Sequence, residues 1–271
     1  MDSLVNKVRC NLTFFIYIKY IGDYMFEIGD YVSRNKYNND CLFKIIDIKN
    51  NIYYLSGVNI RLLVTANESD LKKEDDIREQ DDITLERKEY KDDYFYLTPT
   101  ILHIDSSEDY LKRCLKLYKN NKLNAYGIKC LEKDIPSNIN KFLNDIKPDI
   151  VVITGHDYFS KKNNTYQNSE NYIKSVKIAR NYEKSTEKLK IIAGACQSDF
   201  EGLIKSGANF ASSPKKVNIH ALDPAIIAIK LALTESTSKI DLIEVLNETK
   251  CGPKGMGGIE CNGSMFVGYP K

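Results

Sequence analysis

The sequence predicts an α/β fold in which a parallel sheet flanked by helices follows a small β-barrel. Beyond about residue 96, short runs rich in Val and Ile alternate with segments of helical periodicity. Two of these runs end at a Gly turn, which is typical of strands buried on both faces of a parallel sheet. Before residue 67, shorter strand patterns follow one another between Asn, Asp and Gly turns, as in a small barrel.

The composition fits a globular protein with one principal and one smaller domain, since 42% of its 271 residues are hydrophobic. The formal net charge of +2, without a nucleic-acid fold signature, predicts no nucleic-acid partner. The seven cysteines form no CxxC pair, and the three histidines lie far apart in sequence. This spacing predicts a reducing compartment and no metal site, and we expect no cofactor.

The first 24 residues make a poor targeting signal. Lys19 interrupts their aromatic-rich run, no small-residue cleavage site follows, and the run is too short to cross a bilayer. Met25 opens a segment with regular strand patterning. We therefore interpret residues 1–24 as an extension or a mis-assigned start, and we expect no membrane span.

The remaining chain divides into three predicted parts. Strand patterns at residues 31–34, 42–48, 52–55 and 61–64 predict an SH3-like β-barrel over residues 25–67. Residues 68–95 are almost entirely charged or polar and predict a solvated linker. An α/β domain over residues 96–271 has predicted strands at 101–105, 125–130, 151–154, 191–193 and 209–212. Its predicted helices cover 107–120, 137–146, 171–184, 199–205, 225–233 and 242–248, and residues 257–269 predict a terminal hairpin.

Two of the predicted strands end in a reactive side chain. His156 follows the strand at 151–154, and Cys196 follows the strand at 191–193, forty residues later. Because ligands gather outside the carboxyl ends of parallel strands, both side chains should lie on one rim of the sheet. Ser198 and Asp199 look like a helix start that would point at the sulfur and favour the thiolate. The pattern predicts a cysteine–histidine active site.

Two chemistries fit a cysteine at such a strand end. In an amidotransferase-like cysteine hydrolase the histidine follows the nucleophile, as His220 does here, with Asp223 to orient it. In the caspase-type pattern the histidine precedes an Ala-Cys strand end, which is the order of His156 and Cys196. The order of these two residues favours the wider caspase/clostripain-like class. A caspase proper is disfavoured, because Gly194 stands where the caspase motif has Gln.

Motifs along the chain from Met25 share the pattern of one known family. They lie at residues 28–32, 102–105, 153–157, 193–198, 207–214, 217–224 and 257–260, together with the pair Arg61-Leu62. In these motifs the chain resembles the YabG family of sporulation-specific proteases of endospore-forming bacteria. Only residues 1–24 fall outside the resemblance.

The resemblance implies a cysteine endopeptidase that acts during spore formation and prefers to cleave after Arg or Lys. Its substrates would be spore coat and related spore proteins. The enzyme would act in the cytoplasm of the sporulating cell, in association with the developing spore or its coat. Carried over to this sequence, Cys196 would be the nucleophile and His156 the base that takes its proton.

The oxyanion hole implied by the resemblance uses the backbone N–H groups of Cys196 and Asp157, after the turn at Gly155. The Asp157 carboxylate must point away from the oxyanion. It would instead orient His156 or contact the substrate, and both interpretations stay open.

A pocket for a basic side chain needs a carboxylate. Asp223 and Asp199 are the candidates nearest to the catalytic elements, and Ser212 and Ser213 are candidate pocket walls. Each aspartate could equally cap a helix, and the two serines could form the turn before Pro214.

A competing hypothesis from another class is a non-catalytic spore-assembly or scaffold protein whose barrel binds partners. The presence of both Cys196 and His156 argues against it. His103 ends the first strand of the α/β domain and is a further rim residue that could approach the site. The other cysteines are interpreted as packing residues.

Overall fold

The computed structural model describes residues 25–75 and 91–270. Within these ranges the chain forms a five-stranded antiparallel sheet followed by a six-stranded sheet that is parallel except at one edge. The predicted extension over residues 1–24 and residues 76–90 of the predicted linker lie outside the described residues.

The first sheet is a meander whose last strand returns to its first. Its order is β4-β3-β2-β1-β5. Alternate side chains on one face, among them Val32, Phe43, Ile45 and Leu55, pack into a small core. Its strands are β1 (Tyr31–Arg34), β2 (Phe43–Lys49), β3 (Ile52–Gly57), β4 (Leu63–Asn67) and β5 (Leu71–Lys73).

The fifth strand falls in the segment that the sequence predicted to be linker. A 3-10 turn over Glu68–Asp70 brings β5 back against β1, where Lys73 pairs with Val32. Leu71 supplies the one buried side chain of this strand. A three-residue strand with a single apolar position among charges has no detectable period, so its pairing could not be read from the sequence.

The second sheet confirms the predicted parallel architecture. Its order is β14-β13-β12-β9-β7-β8, and the pairs from β13 to β8 are parallel. Its strands are β7 (Thr100–Asp105), β8 (Asn124–Lys129), β9 (Ile150–Thr154), β12 (Lys190–Ala193), β13 (Phe210–Ser212) and β14 (Met256–Gly258). Two further antiparallel sheets have two strands each. One pairs β10 (Phe159–Ser160) with β11 (Thr165–Tyr166), and the other pairs β6 (Phe95–Leu97) with β15 (Phe266–Gly268).

Helices cover both faces of this sheet, as predicted. Val152 and Ile192 pack with α1, α5 and α6 on one face, whereas Val151, Ile153 and Ile191 pack with α2, α3 and α4 on the other. The helices are α1 (Glu108–Asn120), α2 (Ile135–Ile146), α3 (Ser169–Tyr182), α4 (Phe200–Lys205), α5 (Asp223–Leu233), α6 (Leu242–Glu248) and α7 (Gly252–Gly255).

The predicted terminal hairpin over residues 257–269 is wrong. β14 pairs with β13 and β15 pairs with β6, so the two segments join different sheets. Gly258 explains the first pairing, because a Cβ there would collide with the ring of Phe210. The glycine serves a close strand contact rather than a local turn.

Among residues 25–75 and 91–270, no helix has the length and apolarity that a bilayer crossing requires.

Candidate active site

Neighbouring parallel strands bring reactive side chains to one rim of the second sheet. β7 ends at Asp105, β9 is followed by His156, and β12 is followed by Cys196. Ile153 pairs with Ala193, so the ends of β9 and β12 lie side by side. His156 and Cys196 therefore occupy adjacent loops at the carboxyl ends of adjacent strands.

A tight turn carries Cys196. Gly194 and Gln197 flank it with φ values of 111° and 56°, both in the left-handed region. The Ser198 Oγ atom accepts the N–H of Ala195 at 2.9 Å and closes the turn around the cysteine. A Cβ on Gly194 would lie 3.1 Å from the Cβ of Ser212, so the position suits glycine for space as well as for conformation.

The loop after β13, and not α4, donates to the sulfur. Helix α4 begins at Phe200, and its cap residue Asp199 accepts the N–H of Gly202 at 3.1 Å. The Cys196 Sγ atom accepts the N–H of Ile219 at 3.3 Å. The structure therefore differs from the expectation that a helix start at residues 198–199 supports the sulfur.

Cys196 is closed off from solvent in this structure. Its side chain is fully buried. Burial raises the pKa of the Cys196 thiol to about 12, although the N–H of Ile219 and the charge of Arg61 favour the thiolate. The closed arrangement therefore favours the neutral thiol over the thiolate.

His156 is held at one ring nitrogen and unpaired at the other. Its Nδ1 atom lies 3.1 Å from the Oγ of Ser106 and 3.4 Å from the Oε1 of Glu132. Its Nε2 atom is buried and has no hydrogen-bond partner, so it is not bonded to Cys196 here. Nε2 is thus the nitrogen available to accept a proton from a thiol.

Glu132 is a further candidate site residue, which the sequence patterns did not single out. Its carboxylate also accepts the backbone N–H of His156 at 2.7 Å and the hydroxyl of Ser106 at 2.5 Å. Burial alone raises the pKa of Glu132, but the hydrogen bonds from His156 and Ser106 bring it below its usual value. A signal was present, because Glu132 closely follows β8, whose carboxyl end shares the rim with β7.

Gly155 lets this carboxylate reach the main chain of His156. A Cβ at Gly155 would lie 2.6 Å from both the Ser106 Oγ and the Glu132 Oε1. Any larger residue would push these groups away from the candidate base.

Asp157 joins the two site loops and does not contact the imidazole. Its carboxylate accepts hydrogen bonds from the hydroxyls of Ser169 at 2.5 Å and Ser198 at 3.0 Å, and from the N–H of Asn168 at 2.8 Å. Burial raises the pKa of Asp157, against the effect of these donors. The carboxylate holds the Cys196 turn against the loop of His156 and the start of α3.

The two aspartates predicted for a basic-residue pocket bind backbone amides. Asp199 caps α4 as described above. Asp223 is fully buried, and it accepts the N–H of Lys250 at 2.7 Å and of His220 at 3.2 Å. Burial raises the pKa of Asp223. Both carboxylates have structural partners, and their predicted contact with substrate stays a prediction.

Ser212 and Ser213 lie at the end of β13 on the same rim, but their hydroxyls are used within the fold. The Ser212 Oγ lies 3.5 Å from the sulfur of Met256, and the Ser213 hydroxyl donates to the carbonyl of Val217 at 2.7 Å. Ser213 has a φ of 66°, which marks the turn before Pro214. Their predicted role as pocket walls is untested by these contacts.

His103 belongs to a buried polar network beside the site. Its ring lies between the hydroxyls of Tyr118 at 2.9 Å and Thr154 at 3.0 Å, and burial lowers its pKa. The Thr154 hydroxyl donates to Asp105 at 2.8 Å, and Asp105 forms a fully buried ion pair with Arg61 at 2.5 Å. His103 supports Asp105, whose pairing with Arg61 the sequence did not predict.

His220 has a different environment from that of a catalytic base oriented by Asp223. Its Nδ1 atom accepts the N–H of Leu222 at 3.2 Å, and Asp223 bonds to its backbone rather than its ring. This geometry gives no support to the amidotransferase-like order. Within residues 25–75 and 91–270, no group of three or more His, Cys, Asp or Glu side chains is placed to hold a metal.

Comparison with known proteins assigns the chain to a peptidase family. The family model described as YabG peptidase U57 matches residues 27–87 and 76–270. The chain belongs to the YabG peptidase family. The sporulation-specific protease YabG of Bacillus subtilis strain 168 is 40% identical to it over 284 aligned positions, which cover 90% of this chain and 98% of that protein. No solved structure matches the chain.

Membership of the YabG family confirms the resemblance seen in the sequence motifs and makes the chain a homologue of a sporulation protease. The family match spans both sheets of the structure, including Arg61, Glu132, His156 and Cys196. The residues at the rim therefore belong to the part of the chain shared with YabG.

Proposed function

We propose that this YabG-family chain is a cysteine endopeptidase in which Cys196 is the nucleophile and His156 the general base. One observation carries the proposal. Cys196 and His156 follow adjacent parallel strands, and the buried Nε2 of His156 is left without a partner while Glu132 and Ser106 hold the opposite nitrogen. A base oriented at one nitrogen and open at the other is the arrangement that thiol activation requires.

The chemistry follows from these positions. When substrate is bound, the thiol proton passes to the Nε2 of His156 while Sγ attacks the peptide carbonyl, which forms a C–S bond and an oxyanion. The imidazolium then protonates the leaving amine as the C–N bond breaks. A water molecule, deprotonated by the same imidazole, hydrolyses the thioester and releases the new carboxyl end. Glu132 stabilises the imidazolium during both halves of the cycle.

The oxyanion would be bound by the backbone N–H groups of Cys196 and Asp157. The hydrogen bonds of the Asp157 carboxylate to Ser169, Ser198 and Asn168 support this part of the proposal, because they hold the charge away from the developing oxyanion. Loss of one such donor typically lowers the rate by about 10²–10³-fold.

For its substrates we propose spore coat and related spore proteins, cut after Arg or Lys, in the cytoplasm of the sporulating cell at the developing spore or its coat. The support is membership of the YabG family and the name of its Bacillus subtilis relative. No metal or cofactor enters the mechanism.

The same proposal includes the finer points of architecture. The second sheet would be of the caspase/clostripain-like kind. The support is that β9, which precedes His156, lies directly beside β12, which precedes Cys196. The first sheet would be an SH3-like barrel domain, supported by the return of β5 to β1. The domain division would follow the predicted boundaries, with the barrel prolonged through β5.

The test compares four purified full-length proteins on spore coat extract: wild type, Cys196→Ala, His156→Ala and the control Cys130→Ala. Cys130 is a partly exposed thiol that follows β8 and serves as a matched cysteine change outside the proposed mechanism. Mass spectrometry of new termini should show cleavage after Arg or Lys by wild type and Cys130→Ala only. Cleavage by folded Cys196→Ala would exclude the proposed nucleophile. No cleavage by any folded protein would favour either a missing activator or the scaffold hypothesis, and the reactivity of Cys196 towards iodoacetamide would then separate the two.

A further inference from the structure

The loop between β3 and β4 leaves its own sheet and lies on the rim of the second one. We call residues 57–62 the docking loop. The N–H of Ala221 donates to the carbonyl of Asn59 at 2.8 Å, and the N–H of Arg61 donates to the carbonyl of Ile219 at 3.3 Å. Ile60 and His220 form an antiparallel bridge between these two bonds. The docking loop thus pairs with residues 219–221 as an added strand would.

The Arg61 side chain enters a closed pocket beside the candidate nucleophile. Its guanidinium bonds to Asp105 at 2.5 Å and to the carbonyl of Ala221 at 2.8 Å, and it lies 5.1 Å from the ring centroid of Tyr110. The side chain is fully buried. Carboxylate, carbonyl and aromatic face are the groups that recognise a guanidinium.

The docking loop also meets the sulfur of Cys196. Ile219 accepts the N–H of Arg61 and donates its own N–H to the Cys196 Sγ. The backbone N–H of Arg61 also favours the thiolate form of Cys196, against the effect of burial on its pKa. A single residue of the docking loop therefore fills a buried pocket with its side chain, while its main chain bonds to the residue that donates to the Cys196 sulfur.

We propose that Asp105 is the carboxylate that binds the arginine side chain of a substrate. Arg61 would occupy the pocket of that side chain as a built-in substrate mimic. The docking loop would then keep the enzyme closed until it is displaced. This inference rests on the proposed peptidase function and names the specificity and regulation of that site. Because the pocket offers two oxygen acceptors in different directions, it fits a guanidinium better than an ammonium, so Arg is preferred to Lys.

The main chain at Arg61 explains why the mimic is not a good substrate. Leu62 donates its N–H to the carbonyl of Ile60 at 2.8 Å, so the chain makes a three-residue turn centred on Arg61. The bond after Arg61 turns back towards β4 instead of continuing extended across the site. Gly57 permits this fold, because a Cβ there would collide with the Ile60 carbonyl.

The docking loop is also bonded to α1, and these are the contacts that its displacement would have to break. The Tyr110 hydroxyl lies within 2.6 Å of the carbonyls of both Gly57 and Ile60, and Arg113 donates to the carbonyl of Val58 at 2.5 Å. The same part of the loop borders a cavity of about 370 Å³ between the first sheet and α1. The Nε of Arg61 has no hydrogen-bond partner, which weakens its hold on the pocket.

The experiment uses full-length wild type, Arg61→Ala, Arg113→Ala and the control Lys49→Ala, an exposed cation on the same sheet but outside the docking loop. The first readout is the rate at which iodoacetamide alkylates Cys196 at pH 8, measured by peptide mass spectrometry. We expect at least tenfold faster alkylation in both arginine variants and no change in the control. Arg113→Ala keeps the Arg61–Asp105 pair but loses a bond that holds the docking loop. If Arg61→Ala does not fold, the alkylation rate of Arg113→Ala is the test of the inference.

The second readout is binding of ethylguanidinium, followed as a thermal shift and as slowed alkylation. Ethylguanidinium should bind to Arg61→Ala. It should not bind to wild type, whose pocket is filled, or to the double variant Arg61→Ala/Asp105→Asn, which lacks the carboxylate. The third readout is cleavage of matched peptides with Arg, Lys or Gln before the cut, where Arg61→Ala should exceed wild type at least tenfold for Arg.

The first two readouts need no peptidase activity, so they separate this inference from the proposed function. Faster alkylation and Asp105-dependent ethylguanidinium binding support the docked mimic even if no peptide is cut. Unchanged or slower alkylation of Cys196 in folded Arg61→Ala and folded Arg113→Ala would overturn the inference. The Arg61–Asp105 ion pair would then be a fixed structural link, even if wild type proves to be an active peptidase.

Discussion

The Oε1 atom of Glu132 lies 3.4 Å from the Nδ1 of His156 and 2.7 Å from the backbone nitrogen of the same residue. One carboxylate therefore fixes both the ring and the main chain of the candidate base. It also places a negative charge where an imidazolium forms once the thiol proton reaches Nε2.

Glu132→Gln should lower kcat about 10- to 10³-fold and leave KM unchanged, because the amide keeps the size of the side chain but removes the charge that stabilises the imidazolium. Steady-state kinetics on an Arg-containing peptide measures both constants. Glu108→Gln, an exposed change at the start of α1, is the matched control. A raised KM with unchanged kcat would place Glu132 in substrate binding instead.

Asp157→Asn should destabilise the protein by about 1–3 kcal/mol, because the amide nitrogen would face donors that now bond to a buried carboxylate. Urea unfolding measures this loss. Asp199→Asn is the control for stability, since Asn caps a helix about as well as Asp, and it should leave the free energy of unfolding unchanged. A stable Asp157→Asn with a raised KM would show that Asp157 contacts substrate.

The alkylation rate of wild-type Cys196 should keep rising with pH up to about 10 and beyond. Burial raises the thiol pKa to about 12, so below that value the thiolate fraction grows about tenfold with each pH unit. Iodoacetamide trapping between pH 7 and 10 gives the profile, with the urea-unfolded protein as reference. A plateau near pH 8 in the folded protein would contradict the closed, neutral thiol.

Asp105→Asn should destabilise the closed protein by up to about 3–5 kcal/mol at neutral pH, because it leaves Arg61 buried without a counter-charge. Although burial opposes it, the charge of Arg61 holds the pKa of Asp105 well below its usual value. A lowered folded-state pKa gives stability that is present above the unfolded value, near 4, and is lost as the pH falls below it.

Urea unfolding at pH 7, 5 and 3 checks this prediction. The difference between wild type and Asp105→Asn should be equal at pH 7 and 5 and smaller at pH 3. Asp47→Asn, which alters an exposed pair with Lys49, should show no such pattern. A difference that grows as the pH falls from 5 to 3 would contradict an ionised, paired Asp105.

The sequence predicted the second sheet and its two loops because the strands that carry them are buried on both faces. Runs such as 150–153 and 191–193 must be apolar to pack between two layers of helices, and each must end where the chain turns. The side chain that follows such a strand is placed by topology alone. His156 and Cys196 could therefore be assigned to one rim without any structure.

Tertiary pairing decides the roles of Glu132 and Arg61. The position of Glu132 just after β8 indicates the rim, but nothing local indicates its contact with His156. Glu132 lies on the edge side of β7 and meets His156 across that strand, a relation with no local pattern. Arg61 was expected to begin a strand, yet β4 begins at Leu63. An arginine in a polar loop is usually solvated, so its burial against Asp105 appears only when the two sheets are docked.

Covalent labelling tests most directly whether Cys196 is the nucleophile of a peptidase. Full-length protein that is cleaving its substrate is treated with an acyl-arginine chloromethyl ketone, and the label is located by peptide mass spectrometry while the remaining cleavage is measured. We expect label on Cys196 and a loss of cleavage in proportion to that label. Cleavage that persists after Cys196 is fully labelled, or that is lost with label on another residue such as Cys251, would contradict it.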